Sequence, residues 1–393
     1  MGKPNVGKST FFSAATMAKA EIASYPFTTI DANRGVAYVR ARCPHVDFGV
    51  QCNPRNSLCE NGTRLIPIEL IDVAGLVPGA HEGRGLGNRF LDDLRQASAL
   101  IHIVDASGAT DAEGNPCDVG AHDPVEDVDF LEEEISYWIA GILQRGWERV
   151  ARGAESMHRK VEDVIHERLT GLGVAEKDVV VALKNVELPE KLREWKEEHF
   201  LSLAREIRKR SKPMVIAANK SDKAPPEILE RLMALHERGY IVIPTSAEYE
   251  LALRRAARAG LIEYTPGDSE FRVLRESDLT VPQKNALKKI EEFLSRFGST
   301  GVQECIEKAA YDLLHLIPVY PVEDENHLTD KDGNVLPDAF LLPEGSTALD
   351  LAAKVHTDLA KGFIRAIDAR TKMVVGHDYV LKAGDVIRIV ART

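Results

Sequence analysis

Gly2-Lys3-Pro4-Asn5-Val6-Gly7-Lys8-Ser9 holds two glycines, a lysine and a serine in the spacing Gly-x-x-x-x-Gly-Lys-Ser, and Thr10-Phe11-Phe12 follows as the opening of a helical pattern. Glycines so placed let successive backbone N–H groups turn inward around phosphate oxygens. A lysine then neutralises the β- and γ-phosphates, and the serine hydroxyl can ligate Mg²⁺. Lys8 and Ser9 stand in those two positions, with Asn5, Val6, Gly7 and Thr10 along the loop. Taken alone, the pattern is also met by an ordinary glycine turn.

Three further groups make it specific. Asp72-Val73-Ala74-Gly75 closes an apolar run, so the Asp72 carboxylate can hold a metal through water and the Gly75 N–H can sense a γ-phosphate. Asn219-Lys220-Ser221-Asp222 closes a second run and Thr245-Ser246-Ala247 a third. The two oxygens of Asp222 can accept from the N1–H and exocyclic amino group of guanine, an arrangement of donors that adenine lacks. A buried carboxylate left unpaired is costly, so such a site rejects the wrong base by roughly 10⁴-fold. Asn219 and Lys220 shape and cover the ring, and Ser246 with Ala247 backs its carbonyl side. Guanine is the expected base.

These groups converge only if neighbouring strands carry them. Leu65 to Asp72, Ala99 to Asp105, Pro213 to Asn219 and Tyr240 to Thr245 are nearly continuous apolar runs, which read as buried parallel strands with function at their C-terminal ends. Between the second and third, Leu131, Ile135, Trp138 and Ile142, then Met157, Val161, Val164, Ile165 and Leu169, recur at helical spacing. Gly171 and Gly173 interrupt, and 190–211 is a further charged helical pattern, so 126–212 is read as a helical arm inserted into an α/β domain. A new start falls at Leu316. Beyond it Ala339 to Leu342, Phe363 to Ile367, Tyr379 to Leu381 and Val386 to Val390 read as short strands around one helix bearing Ala348, Leu351, Ala352, Val355 and Leu359.

The chain has 393 residues and a formal net charge of -11, which excludes a basic nucleic-acid coat; any RNA contact must be local, and no DNA is expected as a partner. Five cysteines make no paired secretory framework, no apolar run reaches spanning length, and Met1-Gly2 is followed by Val6 where an acylation signal needs Ser or Thr. A cytoplasmic protein without membrane partners is expected.

The run from Asp72 through Gly75, Gly79, His81, Gly83, Gly85 and Gly87 to Leu91 resembles the second switch of the Obg family of translation-factor-class GTPases, and Tyr25-Pro26-Phe27-Thr28-Thr29-Ile30 resembles its first switch. The helical insertion and tail narrow the resemblance to the YchF/Obg-like branch in its archaeal form. In the tail Pro343 to Thr347, Asp350-Leu351-Ala352, His356 and Gly384 to Ile387 are similar to a TGS domain. The resemblance implies a P-loop NTPase G domain at 1–125 and 213–315, the arm at 126–212, and a ubiquitin-like β-grasp (TGS) domain at 316–393. It implies Mg²⁺ held by Ser9, Thr29 and Asp72, with Thr29 favoured over Thr28, and catalysis resting on Lys8, Thr29 and Gly75. It also implies GTP hydrolysis to GDP as a conformational switch acting on the ribosome or RNA through the TGS domain and arm.

Several readings stay open. Other members of this branch replace the guanine-reading motif with one that tolerates adenine, whereas this chain keeps Asp222, so GTP is expected and an ATP-preferring enzyme is the alternative. A passive RNA-binding scaffold is a third reading, and a small-molecule phosphotransferase lacks any visible acceptor site. Leu76 stands where Ras-like enzymes have the water-orienting glutamine, so slow turnover is expected. Asn5 resembles an asparagine that supports a catalytic K⁺, or it simply suits the loop backbone. His81 is read as partner-sensing rather than catalytic.

Cys43, His45, Cys52 and Cys59 could hold Zn²⁺, but without a Cys-x-x-Cys knuckle free thiols are the favoured reading. From Thr347 onward eight Lys or Arg face five Asp or Glu, and Arg365, Arg370, Lys372 and Lys382 either contact RNA phosphates or form a solvated face. The phosphate loop of this fold follows a central strand, yet Met1 directly precedes Gly2, so poor nucleotide affinity is expected of the chain as it stands.

Overall fold

A computed structural model describes residues 1–16, 33–73 and 93–392. Its strands are β1 (Arg34–Arg42), β2 (Leu58–Glu60), β3 (Thr63–Ile71), β4 (Leu100–Asp105), β5 (Met214–Asn219), β6 (Ile241–Pro244), β7 (Ile262–Glu263), β8 (Arg272–Val273), β9 (Leu316–Val322), β10 (Phe340–Pro343), β11 (Phe363–Asp368), β12 (Val374–Val375) and β13 (Val386–Ala391). The chain divides into two compact units, Met1–Ala14 with Ile71–Cys305, and Ala15–Leu70 with Ile306–Thr393. No helix among the described residues is long and apolar enough to cross a membrane.

In the first unit β4, β5 and β6 form a parallel sheet in that order, with Asp105 level with Asn219. All six residues of β5 are buried, as expected of a strand covered on both faces. Val104, Ile216, Ala218 and Val242 pack with Val128, Ile228 and Leu232 on one side. Met1 adds to the edge of β4: its N–H₃⁺ donates to the Ile101 carbonyl at 2.9 Å and its carbonyl accepts from Ile103 N–H at 2.8 Å.

The arm comprises helices Pro124–Gln144, Trp147–Ser156, Val161–Leu169, Glu176–Lys184 and Glu197–Ser211. The first is capped by Asp123, whose carboxylate accepts from Val125 N–H, and it begins on Pro124, both usual start signals. Its buried face carries Leu131, Ile135, Trp138, Ile139 and Leu143, which share a core with Leu203, Ala204 and Ile207. Three members of the expected stripe do not join fully: Ile142 and Val161 are only partly buried, and Met157 lies 68 % exposed just past a helix end. The charged pattern from 190 makes one 3-10 turn at Leu192–Glu194 and is α-helical only from Glu197. Before it Trp195 stacks on Trp147 with centroids 5.1 Å apart, and each indole N–H donates to a carbonyl, Trp147 to Leu192 and Trp195 to Pro189.

In the second unit β1, β3 and β2 form a separate sheet. Among the described residues the run Leu65 to Asp72 is therefore not a fourth strand of the parallel sheet; β3 pairs antiparallel with β2, with Glu60 opposite Thr63. Asn61-Gly62, at φ 47° and 85°, makes the two-residue hairpin turn that joins β2 to β3 and needs left-handed backbone at both positions. The tail forms a five-stranded sheet in the order β10-β9-β13-β11-β12, with β13 parallel to β9 and the other pairs antiparallel. Helix Ala348–Val355 packs Ala348 and Leu351 onto Val319, Ala366 and Ile387, and Thr347 with Asp350 closes its N-terminus as a capping box. Tyr379 to Leu381, expected as a strand, makes only a single bridge from Val380 to Thr347. Alternating side chains there were too few to specify a partner strand.

Candidate nucleotide site

The glycine loop sits against β4. Gly2 has φ 155°, and a Cβ there would lie 2.4 Å from the Ile103 carbonyl oxygen, so the close approach of loop to strand requires glycine. Lys3, 7 % exposed, does not face solvent; its ammonium donates to the Thr110 carbonyl and pairs with Asp127 at 2.8 Å. Asn5 takes φ 64°, a left-handed conformation that asparagine tolerates, and its amide donates to the Gly114 carbonyl at 2.8 Å. The loop ends in helix Lys8–Thr16, with Phe11 N–H bonded to the Gly7 carbonyl. The N–H groups of its first turn have no intrahelical partner, and with the helix dipole they form a natural seat for an anion. Ser9 and Thr10 lie in this turn.

Burial pulls the Lys8 ammonium below the usual lysine range, while the nearby Asp72 carboxylate opposes that shift. Asp72 directly follows β3, and its Oδ1 is buried with no hydrogen-bond partner among the described residues. A buried carboxylate oxygen in that state calls for a cation or a donor.

The loops after β5 and β6 meet the glycine loop through Asn219 at the end of β5. Its Nδ2 donates to the Val6 carbonyl at 2.7 Å and its Oδ1 accepts from Ala247 N–H at 3.0 Å. One amide thus ties the phosphate loop to the loop after β6. Gly7, at φ 92°, passes so close that a Cβ would stand 2.3 Å from Asn219 Nδ2. Lys220, at φ 61°, reaches back to the Asn5 carbonyl at 2.8 Å and to Asp105 Oδ2 at 2.7 Å. Asp222 has a side chain only 6 % exposed, with Lys223 Nζ 4.0 Å away. Ser246 caps helix Ala247–Arg258 by accepting from Tyr249 N–H, and its own N–H is held by the Thr300 carbonyl. That helix is anchored by buried Glu250, which accepts from Tyr264 and Thr300 hydroxyls.

Asn5, Val6, Gly7, Lys8, Asn219, Lys220 and Ala247 are therefore drawn together at the C-terminal end of the sheet, with Ser9, Thr10, Asp222 and Ser246 beside them in the chain and Asp72 near Lys8. Thr28, Thr29, Gly75, Leu76 and His81 lie outside the described residues. Asp105 has a part that sequence reasoning did not assign. It is 1 % exposed, accepts from Ser107 N–H and from the Thr110 hydroxyl, and holds the Lys220 ammonium. The available signal was a carboxylate closing an apolar parallel strand next to another strand that ends in a site motif.

Comparison with known proteins gives three family models. The 50S ribosome-binding GTPase model matches residues 1–134, the Obg-like GTPase YGR210-like, G4 motif-containing domain matches 217–324, and the TGS domain matches 326–391. The chain is 54% identical over 391 residues to an uncharacterized GTP-binding protein of Methanocaldococcus jannaschii, covering 100% of this chain and 98% of that one. It is 30% identical to the ribosome-binding ATPase YchF of Pasteurella multocida, over 98% of this chain and 96% of the other. A crystal structure of a GTP binding protein from Pyrococcus horikoshii OT3 superposes with a TM-score of 0.79 at 49% identity, covering 100% of this chain and 98% of that one.

Proposed function

The chain belongs to the YchF/Obg-like family of GTP-binding proteins, and from that premise we propose that it hydrolyses GTP to GDP and phosphate as a switch acting on the ribosome in the cytoplasm. The observation that carries the guanine preference is Asp222. Its carboxylate is nearly buried immediately after the Asn219 junction, where it can accept two donors from a guanine edge. Adenine would leave both oxygens unpaired.

In this reading the N–H groups of Gly7, Lys8, Ser9 and Thr10 enclose the phosphates. Asn5 and Val6 shape the loop, Asn219 and Lys220 bracket the base, and Ser246 with Ala247 closes its far side. Lys8 draws negative charge from the bridging and γ-oxygens as water adds to the γ-phosphorus, its proton passing to an oxygen of the phosphate product, and the bond to the β-phosphate oxygen breaks with its electron pair leaving on GDP. Thr29 and Gly75 report the γ-phosphate. Leu76 offers no hydrogen bond to the water, which favours slow turnover. The buried, unpartnered Asp72 Oδ1 fits a nearby Mg²⁺, which Ser9, Thr29 and Asp72 would hold and which would supply charge neutralisation at the phosphates. A K⁺ beside Asn5 is a further part of the proposal, although the left-handed backbone of Asn5 and its bond to Gly114 are also reason enough for asparagine there.

The ribosome as partner is supported by the name of the Pasteurella multocida relative, a ribosome-binding ATPase, and by the TGS match. Residues 126–212 and 316–393 are the proposed contact elements, attached to a G domain of 1–125 and 213–315. Within the tail, Arg370 is engaged with Asp47 and Phe48, and Lys372 with the Glu325 carbonyl, whereas Arg365 and Lys382 are exposed and are the better RNA-contact candidates.

The same relative is named an ATPase, so an ATP-preferring enzyme is the second reading. Competition between GTP and ATP for wild type and Asp222→Ala decides between them. The proposal expects GTP to win by orders of magnitude and the variant to lose most of that margin; equal binding by wild type overturns it. Co-sedimentation with ribosomes under a GTP analogue, an ATP analogue, GDP and no nucleotide tests the switch, which requires binding to differ between the analogue and GDP.

A further inference from the structure

Four soft ligands from the stretch after β1 converge in the second unit. Cys43 follows β1, His45 opens the short helix His45–Phe48, Cys52 lies in the next loop and Cys59 is on β2. The helix ends on Gly49 at φ 64°, which turns the chain back so that Val50 N–H bonds to the His45 carbonyl, and Cys43 N–H bonds to the Gly62 carbonyl in the hairpin turn. Two ligands therefore come from the start of this loop, one from its return and one from the adjacent strand. The ligand atoms of all four lie within 4.8 Å of one another.

The separations match one coordination polyhedron. A tetrahedral Zn²⁺ with bonds of about 2.3 Å to sulfur and about 2.0 Å to nitrogen has edges of roughly 3.8 Å between sulfurs and roughly 3.5 Å between sulfur and nitrogen. Here Cys43 Sγ to Cys52 Sγ is 3.9 Å, Cys52 Sγ to His45 Nδ1 is 3.2 Å and Cys59 Sγ to His45 Nδ1 is 3.4 Å. The sulfur pair is much too far apart for a disulfide, which needs about 2.05 Å. A second, independent feature is Arg64, 0 % exposed, which points its Nη2 at Cys43 Sγ from 3.3 Å. Three thiolates around Zn²⁺ carry a net negative charge, and a buried guanidinium beside them offsets it.

We propose that Cys43, His45 Nδ1, Cys52 and Cys59 form a structural Zn²⁺ site, replacing the free thiols favoured by sequence spacing alone. Binding displaces the thiol protons, one from each cysteine, and leaves no open position for chemistry, so the metal braces the fold. What it braces is the loop immediately after Cys52. Asn53 exchanges hydrogen bonds with Asn334 and Val335, Arg55 N–H bonds to the Pro337 carbonyl, and Asn56 pairs with both backbone groups of Ala339. The site would thus pin the segment that leads into β10. It is independent of the nucleotide reading.

Elemental analysis of the full chain, purified without chelator, is expected to give about one zinc per chain. After chelation, titration of the reduced wild-type protein with Co²⁺ should produce the visible d–d absorption and thiolate charge-transfer bands of a tetrahedral thiolate site. Cys52→Ser with Cys59→Ser should abolish both, while His45→Cys, which keeps a four-ligand set, retains them. Because the double variant could fail to fold, the wild-type Co²⁺ titration stands as the decisive readout. Absence of zinc together with a featureless Co²⁺ titration overturns the proposal, as does a Cys43–Cys52 disulfide found by mass spectrometry of the native protein.

Discussion

Asn219 and Val6, far apart in sequence, are joined by a buried 2.7 Å hydrogen bond from side-chain amide to carbonyl, while the other end of the same amide accepts the Ala247 N–H. Asn219→Ala leaves a buried N–H and a buried carbonyl without partners, which should cost about 1–3 kcal/mol of stability in urea unfolding. Asn219→Asp should be no better, because it sets a carboxylate oxygen against the Val6 carbonyl. Unchanged unfolding midpoints in both variants would contradict the junction.

Gly7→Ala should remove nucleotide binding more than it harms folding. The residue holds φ 92° and a Cβ would collide with Asn219 Nδ2 at 2.3 Å, so the loop and the junction cannot both keep their positions. At least a tenfold loss of GTP affinity is expected, measured by calorimetry beside a circular-dichroism check of the fold.

Lys220 and Asp105 are coupled across 2.7 Å, with Asp105 1 % and Lys220 28 % exposed. Lys220→Met leaves the buried carboxylate without its cation and should destabilise by about 2–3 kcal/mol, less than a fully buried pair because Lys220 is partly solvated. Asp105→Asn in the same background should recover part of that loss. A double-mutant cycle giving no coupling energy would show that the pair contributes only geometry.

His102, buried on β4 with Nδ1 lacking a partner among the described residues, is held neutral: burial, reinforced by the N-terminal amine and Lys3, lowers its pKa to about 3. Its folded pKa lies below the ordinary value, so the unfolded chain binds a proton first as pH falls. The stability it contributes is full above about pH 6.5 and declines below it by about 1.4 kcal/mol per pH unit until the folded group titrates. Denaturant unfolding between pH 7 and 5 should show a shallower pH slope in His102→Gln than in wild type; identical slopes would refute this.

The glycine loop and the motif at Asn219 were readable because each is a short local pattern, the second closing the apolar run of β5, and the family resemblance followed from the same residues. The apolar continuity of Leu65 to Ile71 suggested the wrong sheet, and the two-residue turn Asn61-Gly62 that sets its antiparallel partner went unread. A run of branched residues reports burial and says nothing about which strand lies alongside.

Residue types and their order pointed to the phosphate loop, the motif at Asn219, the helical arm and the tail's mixed sheet, because these depend on contacts within short stretches, although the single helix expected to reach Leu359 breaks at extended His356 into Ala348–Val355 and Thr357–Lys361. Only the tertiary structure decided that Asp105 holds Lys220, that Asn219 bridges two loops, and that Cys43, His45, Cys52 and Cys59 surround one point. Those relationships join residues on different strands and turns, and their distances are set by how the elements pack rather than by how far apart they stand along the chain.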